Sequence, residues 1–179
     1  MNKIGTKTLN TSRLILRKIT IEDVKDIYEY ASKEETSKFL TWKPHKSIKE
    51  TKEYVKNVAS RYDESTFRWG IVDKSENKLI GVIDVVKIDE ITNECEIGYV
   101  LNPKYWRQGI MKEASSQVLD YLFKEVGFDQ INAKVELGNI VSEKVLLAND
   151  FKKLETIISV QLPFKDDKIV LCKCFYLRK

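Results

Sequence analysis

The stretch from Glu94 to Gly127 constrains the fold of this 179-residue chain more than any other. Cys95 to Leu101 alternates its side chains as a strand does; Asn102-Pro103 breaks the pattern, and a loop carrying Arg107, Gln108 and Gly109 opens a helix from about Met111 to Val126. Ala114, Val118 and Leu122 recur on one helical face, and Gly127 is the residue type that most easily takes a left-handed cap. A strand feeding a helix in this way leaves unpaired N–H groups, worth about half a positive charge, at one end of a sheet. Such a helix start suits a pyrophosphate; Gly109 lets the backbone come close to the anion, while Arg107 and Lys112 add charge. An ordinary strand-to-helix turn with one glycine and two cations fits the same residues.

The remaining segments surround this unit without repeats or low-complexity tracts. Arg13 to Lys18 reads as a strand with Leu14 and Leu16 on one face, and Thr20 starts a helix carrying Val24, Ile27, Tyr28 and Ala31. Ser47 and Glu50 form a capping box ahead of a second helix with Thr51, Val55 and Val58 inward. Thr66 to Val72, Lys78 to Ile88 and Cys95 to Leu101 read as an antiparallel meander. Ile131 to Leu137 is a further strand, about Ile140 to Ala148 a helix behind Asn139, and Thr156 to Leu162 with Lys168 to Tyr176 two closing strands. The order β-α-α-β-β-β-α-β-α-β-β predicts an α/β (α+β) domain spanning residues 1–179, a mixed sheet flanked by about four helices.

Charge and cysteine usage exclude several classes. The 31 basic and 27 acidic side chains leave +4, spread along the chain, whereas nucleic-acid recognition concentrates its cations; nucleic acid is not expected as a partner. Lys43, Lys46, Lys49, Lys52 and Lys56 scatter around a helix with Glu50 and Glu53 between them, as on a solvated face. Cys95, Cys172 and Cys174 are odd in number with no signal-peptide pattern before them, which points to a reducing, cytoplasmic setting without disulfides. One histidine and no second cysteine pair give no metal site. No apolar run nears the roughly 18 residues that span a bilayer, so a soluble monomer or homodimer with no membrane partner is expected.

Two residues inside the central strand carry chemistry. An interior glycine, Gly98, weakens pairing unless a bulge or a close approach needs it, or a helix packs on it. Glu96 shares a face with Glu94, Gly98 and Val100, where it serves either as a solvated side chain or as a general base.

Ile97-Gly98-Tyr99-Val100-Leu101-Asn102-Pro103, followed by Tyr105-Trp106-Arg107-Gln108-Gly109-Ile110-Met111-Lys112-Glu113-Ala114, resembles the acetyl-CoA segment of the GNAT (Gcn5-related) N-acetyltransferases, in particular the RimJ/RimL group that acetylates ribosomal-protein N-termini. Thr11 to Arg17 resembles that group's opening strand, Trp42-Lys43-Pro44-His45 its loop between the first helices, and Asn139-Ile140-Val141-Ser142 with Phe151 its late asparagine helix.

The resemblance implies a mostly antiparallel sheet splayed at a β-bulge, with acetyl-CoA as cosubstrate. Its pantetheine arm is then expected beside the backbone of Val100 and Leu101, its pyrophosphate on Arg107, Gln108, Gly109, Ile110, Met111 and Lys112, with Asn139 and Lys144 touching the arm and the adenosine phosphate. It implies direct attack by a primary amine on the thioester: Glu96 takes the amine proton, the Val100 amide holds the developing oxyanion, and Ser142 is the nearest hydroxyl to the leaving thiolate, since Leu146 stands where many members carry a tyrosine. The acceptor is a protein N-terminus or a small amine such as a polyamine, an amino acid or an amino sugar, with Trp42, His45 and Trp69 as acceptor-side groups. A non-catalytic acyl-CoA-binding module is the alternative.

Overall fold

The computed structural model describes all 179 residues. Its strands are β1 (Leu9–Asn10), β2 (Leu14–Arg17), β3 (Arg68–Asp73), β4 (Lys78–Asp89), β5 (Glu94–Leu101), β6 (Gln130–Glu136), β7 (Lys152–Leu162) and β8 (Lys168–Arg178). The helices are α1 (Val24–Ala31), α2 (Glu34–Ser37), α3 (Ile48–Ala59), α4 (Ile110–Tyr121) and α5 (Ile140–Leu147). All eight strands form one sheet in the order β1-β2-β3-β4-β5-β6-β8-β7, and only β5 and β6 run parallel. The expected meander is β3, β4 and β5.

Strand alternation divides the apolar side chains between two layers. Trp69 and Ile71 of β3, Cys95 and Ile97 of β5 and Ile131 and Ala133 of β6 pack with Ala114 and Val118 of α4 and with Leu122 just beyond it in a cluster of 27 buried residues. Val72 and the β4 residues Leu79 and Val82 point the other way, into a cluster of 10 with Val24 and Ile27 of α1 and Val55 and Val58 of α3. The α4 side therefore carries the larger core, and the opposite face keeps room for polar groups between α3 and the sheet.

Local chemistry sets the ends of the helices. Asp23 lies in a single 3-10 turn, Ile21–Asp23, that leads into α1; its carboxylate accepts the Thr20 N–H at 2.7 Å and the Arg17 fork at 2.7 and 2.8 Å. Ser47 caps α3 by accepting the Glu50 N–H at 3.3 Å, while the Glu50 carboxylate accepts from Lys46 N–H rather than closing the box on Ser47. The expected helix to Val126 is α4 plus a π turn over Leu122–Val126, closed by Gly127 at φ 87°. Two elements were not expected: β1, of two residues, and α2, of four.

Candidate functional site

The centre of the sheet is open. β5 and β6 pair only at Glu94, Cys95 and Glu96 against Gln130, Ile131 and Asn132; beyond that point β6 stays with β8 and β5 stays with β4, leaving a wedge with Glu96 at its apex. The bulge that accompanies the splay falls on β4, where Val86 is the extra residue between Val85 opposite Ile97 and Lys87 opposite Glu96.

Backbone direction along the wedge differs from the expectation at Val100. The Asn102 N–H donates to the Ile80 carbonyl of β4 at 2.7 Å, and the Val100 carbonyl also faces β4, where a Cβ on Gly81 would stand 2.5 Å from it. Peptide groups alternate in direction along a strand, so Val100 is turned into the β4 ladder and cannot hold an oxyanion in the wedge. Tyr99 and Leu101 present their backbones there instead, and the Leu101 carbonyl accepts the Trp106 indole N–H at 2.8 Å.

The loop between β5 and α4 is shaped for an anion. Arg107 at φ 62° and Gly109 at φ 74° both take left-handed conformations, which curl successive N–H groups into a concave nest at the start of α4. Arg107, Gln108, Gly109 and Lys112 are exposed around it, while Ile110 and Met111 are buried and anchor the helix in the core. Arg13, not singled out in the sequence, clamps this loop: Nη1 donates to the Gln108 carbonyl at 3.0 Å, and Nε meets Glu113 Oε2 of the first α4 turn at 2.7 Å.

On the α4 side of the wedge, Asn139 caps α5 by accepting the Ser142 N–H at 3.3 Å. The Ser142 hydroxyl is not isolated; it lies 2.8 Å from the Tyr99 hydroxyl, which also donates to the Ser142 carbonyl at 3.1 Å. Burial pushes the Tyr99 phenol up to about 12, against the opposing effect of that bond, so it keeps its proton. On the other face, Glu96 meets Lys134 Nζ of β6 at 2.7 Å and lines a cavity of about 250 Å³ with Lys87, Asn132 and Cys174.

The model of the acetyltransferase (GNAT) domain family matches residues 13–152. The chain belongs to the GNAT acetyltransferase family. It is 34% identical over 146 residues to the uncharacterized N-acetyltransferase YoaA of Bacillus subtilis, covering 81% of this chain and 82% of that one. The ribosomal-protein-serine acetyltransferase of Escherichia coli is 26% identical over 150 residues, with 82% and 83% covered. Among solved structures, a GNAT-family acetyltransferase from Bacillus anthracis superposes with a TM-score of 0.81 at 24% identity over 96% of this chain and 98% of that one. The protein is thus an acyl-CoA-dependent N-acetyltransferase with acetyl-CoA as cosubstrate. The residues present fit that molecule: a backbone edge at Tyr99 and Leu101 that pairs with no strand leads to a nest of amides at Gly109.

As a GNAT acceptor group, Trp69 is a correction. It is fully buried on the α4 side, with its indole N–H on the Lys7 carbonyl at 2.8 Å and its ring edge-on to Tyr121, because its parity along β3 points it away from α3. Trp42 and His45 do lie together, centroids 5.4 Å apart, and His45 also packs on Tyr54 and pairs with the Thr51 hydroxyl at 2.8 Å. Burial lowers the His45 pKa despite Glu50, which leaves the ring neutral at pH 7. Lys144 is exposed on α5, and Leu146 is buried in the core. Cys95 is no nucleophile: burial and Glu94 push its thiol up to about 12.

Proposed function

We propose that this GNAT enzyme acetylates a monoamine, either the α-amine of a peptide N-terminus or a small molecule, with Glu96 as proton acceptor. The observation that carries this reading is the position of Glu96 at the apex of the wedge, on the sheet face away from α4. Acetyl-CoA supplies an activated acyl carbonyl there. An amine is protonated at neutral pH and is no nucleophile until it loses a proton, which Glu96 takes directly or through water while Lys134 fixes the carboxylate's position. Ser142 and Tyr99 form the nearest hydroxyl pair on the α4 side and serve as proton source for the departing thiolate, in the role that Leu146 cannot fill.

Charge on the acceptor side favours a monoamine. The outer cleft of about 560 Å³ does not decide the matter, since Lys38, Lys43 and Lys165 share its wall with Glu34, Glu35 and Asp166. Nearer the wedge Glu96 has Lys134, Asp84 has Arg68 and Glu136 has Lys168 at 3.9 Å, whereas Glu94 and Asp89, which line the same cavity as Glu96, are met by side-chain amides and backbone N–H groups and by no cation. At Glu96 and Asp84 themselves the second cation of a polyamine would compete with a lysine and an arginine already in place. Thiol release from acetyl-CoA, followed with spermidine and with short peptides beginning with alanine or serine at one salt concentration, tests this. Higher kcat/KM for a peptide is expected; a spermidine value above every peptide refutes the acceptor assignment.

A further inference from the structure

Arg68, Asp84 and Gly98 form a row across β3, β4 and β5, on the sheet face that also carries Glu96. The row contains one ion pair with an unusual distribution of bonds. Arg68 Nε and Nη2 both donate to Asp84 Oδ2, at 2.9 and 2.6 Å, while Oδ1 receives no protein donor and Nη1 meets no protein acceptor. The pair is largely shielded, with side chains 28% and 18% exposed. Gly98 explains how Oδ1 remains reachable: a Cβ there would lie 3.6 Å from Oδ1 and 3.2 Å from Val86 Cγ1, so any side chain would cover the free oxygen. The glycine does not pack on a helix; it keeps open a path to Asp84.

Resting on the acceptor reading above, we propose that Arg68 and Asp84 are the acceptor-orienting pair of this enzyme. Asp84 Oδ1 accepts a hydrogen bond from the acceptor amine, and Arg68 Nη1 donates to a carbonyl or carboxylate oxygen on the adjacent carbon. The chemistry they recognise is an α-aminoacyl group, whether at a peptide terminus or in a free amino acid. A carboxylate oxygen that no protein donor meets, at the open edge of a part-shielded ion pair, is available to a donor on a ligand, and charge-assisted bonds away from bulk water are the strong ones. Burial raises the Asp84 carboxyl in spite of Arg68, as expected where water is scarce. The Tyr54 and Tyr62 phenols lie within electrostatic reach of Arg68 and wall the pair on the α3 side. Glu96, tied to Lys134, is then free of a holding role and takes the proton from an amine that Asp84 has already placed.

Asp84→Asn and Arg68→Lys test the pair, with alaninamide compared against propargylamine, an amine of similar basicity and no carbonyl. At saturating acetyl-CoA, Asp84→Asn should raise the KM for alaninamide by about 30-fold or more with kcat within about threefold. Both variants should erase most of the alaninamide advantage while acetyl-CoA affinity changes little; Asp84→Asn, which leaves the Arg68 charge unpaired, should also lower Tm. L-alanine assayed in the same proteins separates the sources: a KM more sensitive than that of alaninamide marks a free amino acid, a less sensitive one a peptide terminus. If Asp84→Asn fails to fold, Arg68→Lys and the wild-type preference decide. An unchanged KM, or a wild type that treats alaninamide and propargylamine alike, overturns the proposal alone. Absence of thiol release with every amine overturns the acceptor reading as well.

Discussion

Arg13 ties the head of β2 to the first turn of α4 through Glu113, Nε to Oε2 at 2.7 Å, and the same guanidinium holds the Gln108 carbonyl of the anion loop. A long-range ion pair thus fixes the loop that opens α4, where the cofactor phosphates are expected. Glu113 also accepts from Thr11 and from the Ser12 hydroxyl and Arg13 N–H, at 3.2 and 3.1 Å.

Burial raises the Glu113 carboxyl, but the Thr11 and Arg13 donors outweigh it and bring it to about 2, below the ordinary 4.5. A carboxylate depressed in the folded state contributes stability that is complete above its unfolded pKa and lost as pH falls from about 4.5 to about 2. Glu29, brought to about 2 by Lys78 and then Lys104 and Asn102, titrates in the same window. Glu113→Gln should therefore cost about 1–2 kcal/mol at pH 7 and almost nothing near pH 2, leaving the Glu29 share of the acid slope. Denaturant melts at both pH values measure the difference.

Gly109→Asp should weaken acetyl-CoA binding by at least about tenfold. At φ 74° with only Arg13 Nη2 within 4 Å of an added Cβ, at 3.7 Å, the loop has room for a side chain and Asp tolerates the left-handed region. The loss then comes from a negative charge placed where a pyrophosphate belongs. Calorimetry on the folded variant measures it, and an unchanged dissociation constant removes the loop from the cofactor site.

Trp69→Phe should cost about 1–3 kcal/mol through a small cavity and the lost bond to the Lys7 carbonyl. Because the side chain lies in the α4-side core, kcat/KM for every amine should stay within about twofold at 25 °C. A selective change for one acceptor would return Trp69 to the site.

The segment from Cys95 to Gly127 was legible because its determinants are local: strand parity, a glycine loop, a helical apolar face and a left-handed stop. Trp69 and the Val100 amide were misplaced for a different reason. Which face a strand residue joins, and which neighbour its peptide addresses, depend on register with β4, and register is a long-range property. β1 and α2 are too short to leave a periodic trace. Arg13, Asp84 and Tyr99 find their partners 100, 16 and 43 residues away, so no spacing rule reaches them. Asp84 did leave one sign, a lone charge in the otherwise apolar run from Leu79 to Val86.

Glu96, at the apex of the wedge, is the proposed acceptor of the amine proton. Single-turnover and steady-state rates of Glu96→Gln, with saturating acetyl-CoA and amine at neutral pH, address it directly. Turnover should fall by about a hundredfold with acetyl-CoA affinity nearly intact. Near-normal turnover would contradict it and leave Glu96 as a partner of Lys134 alone.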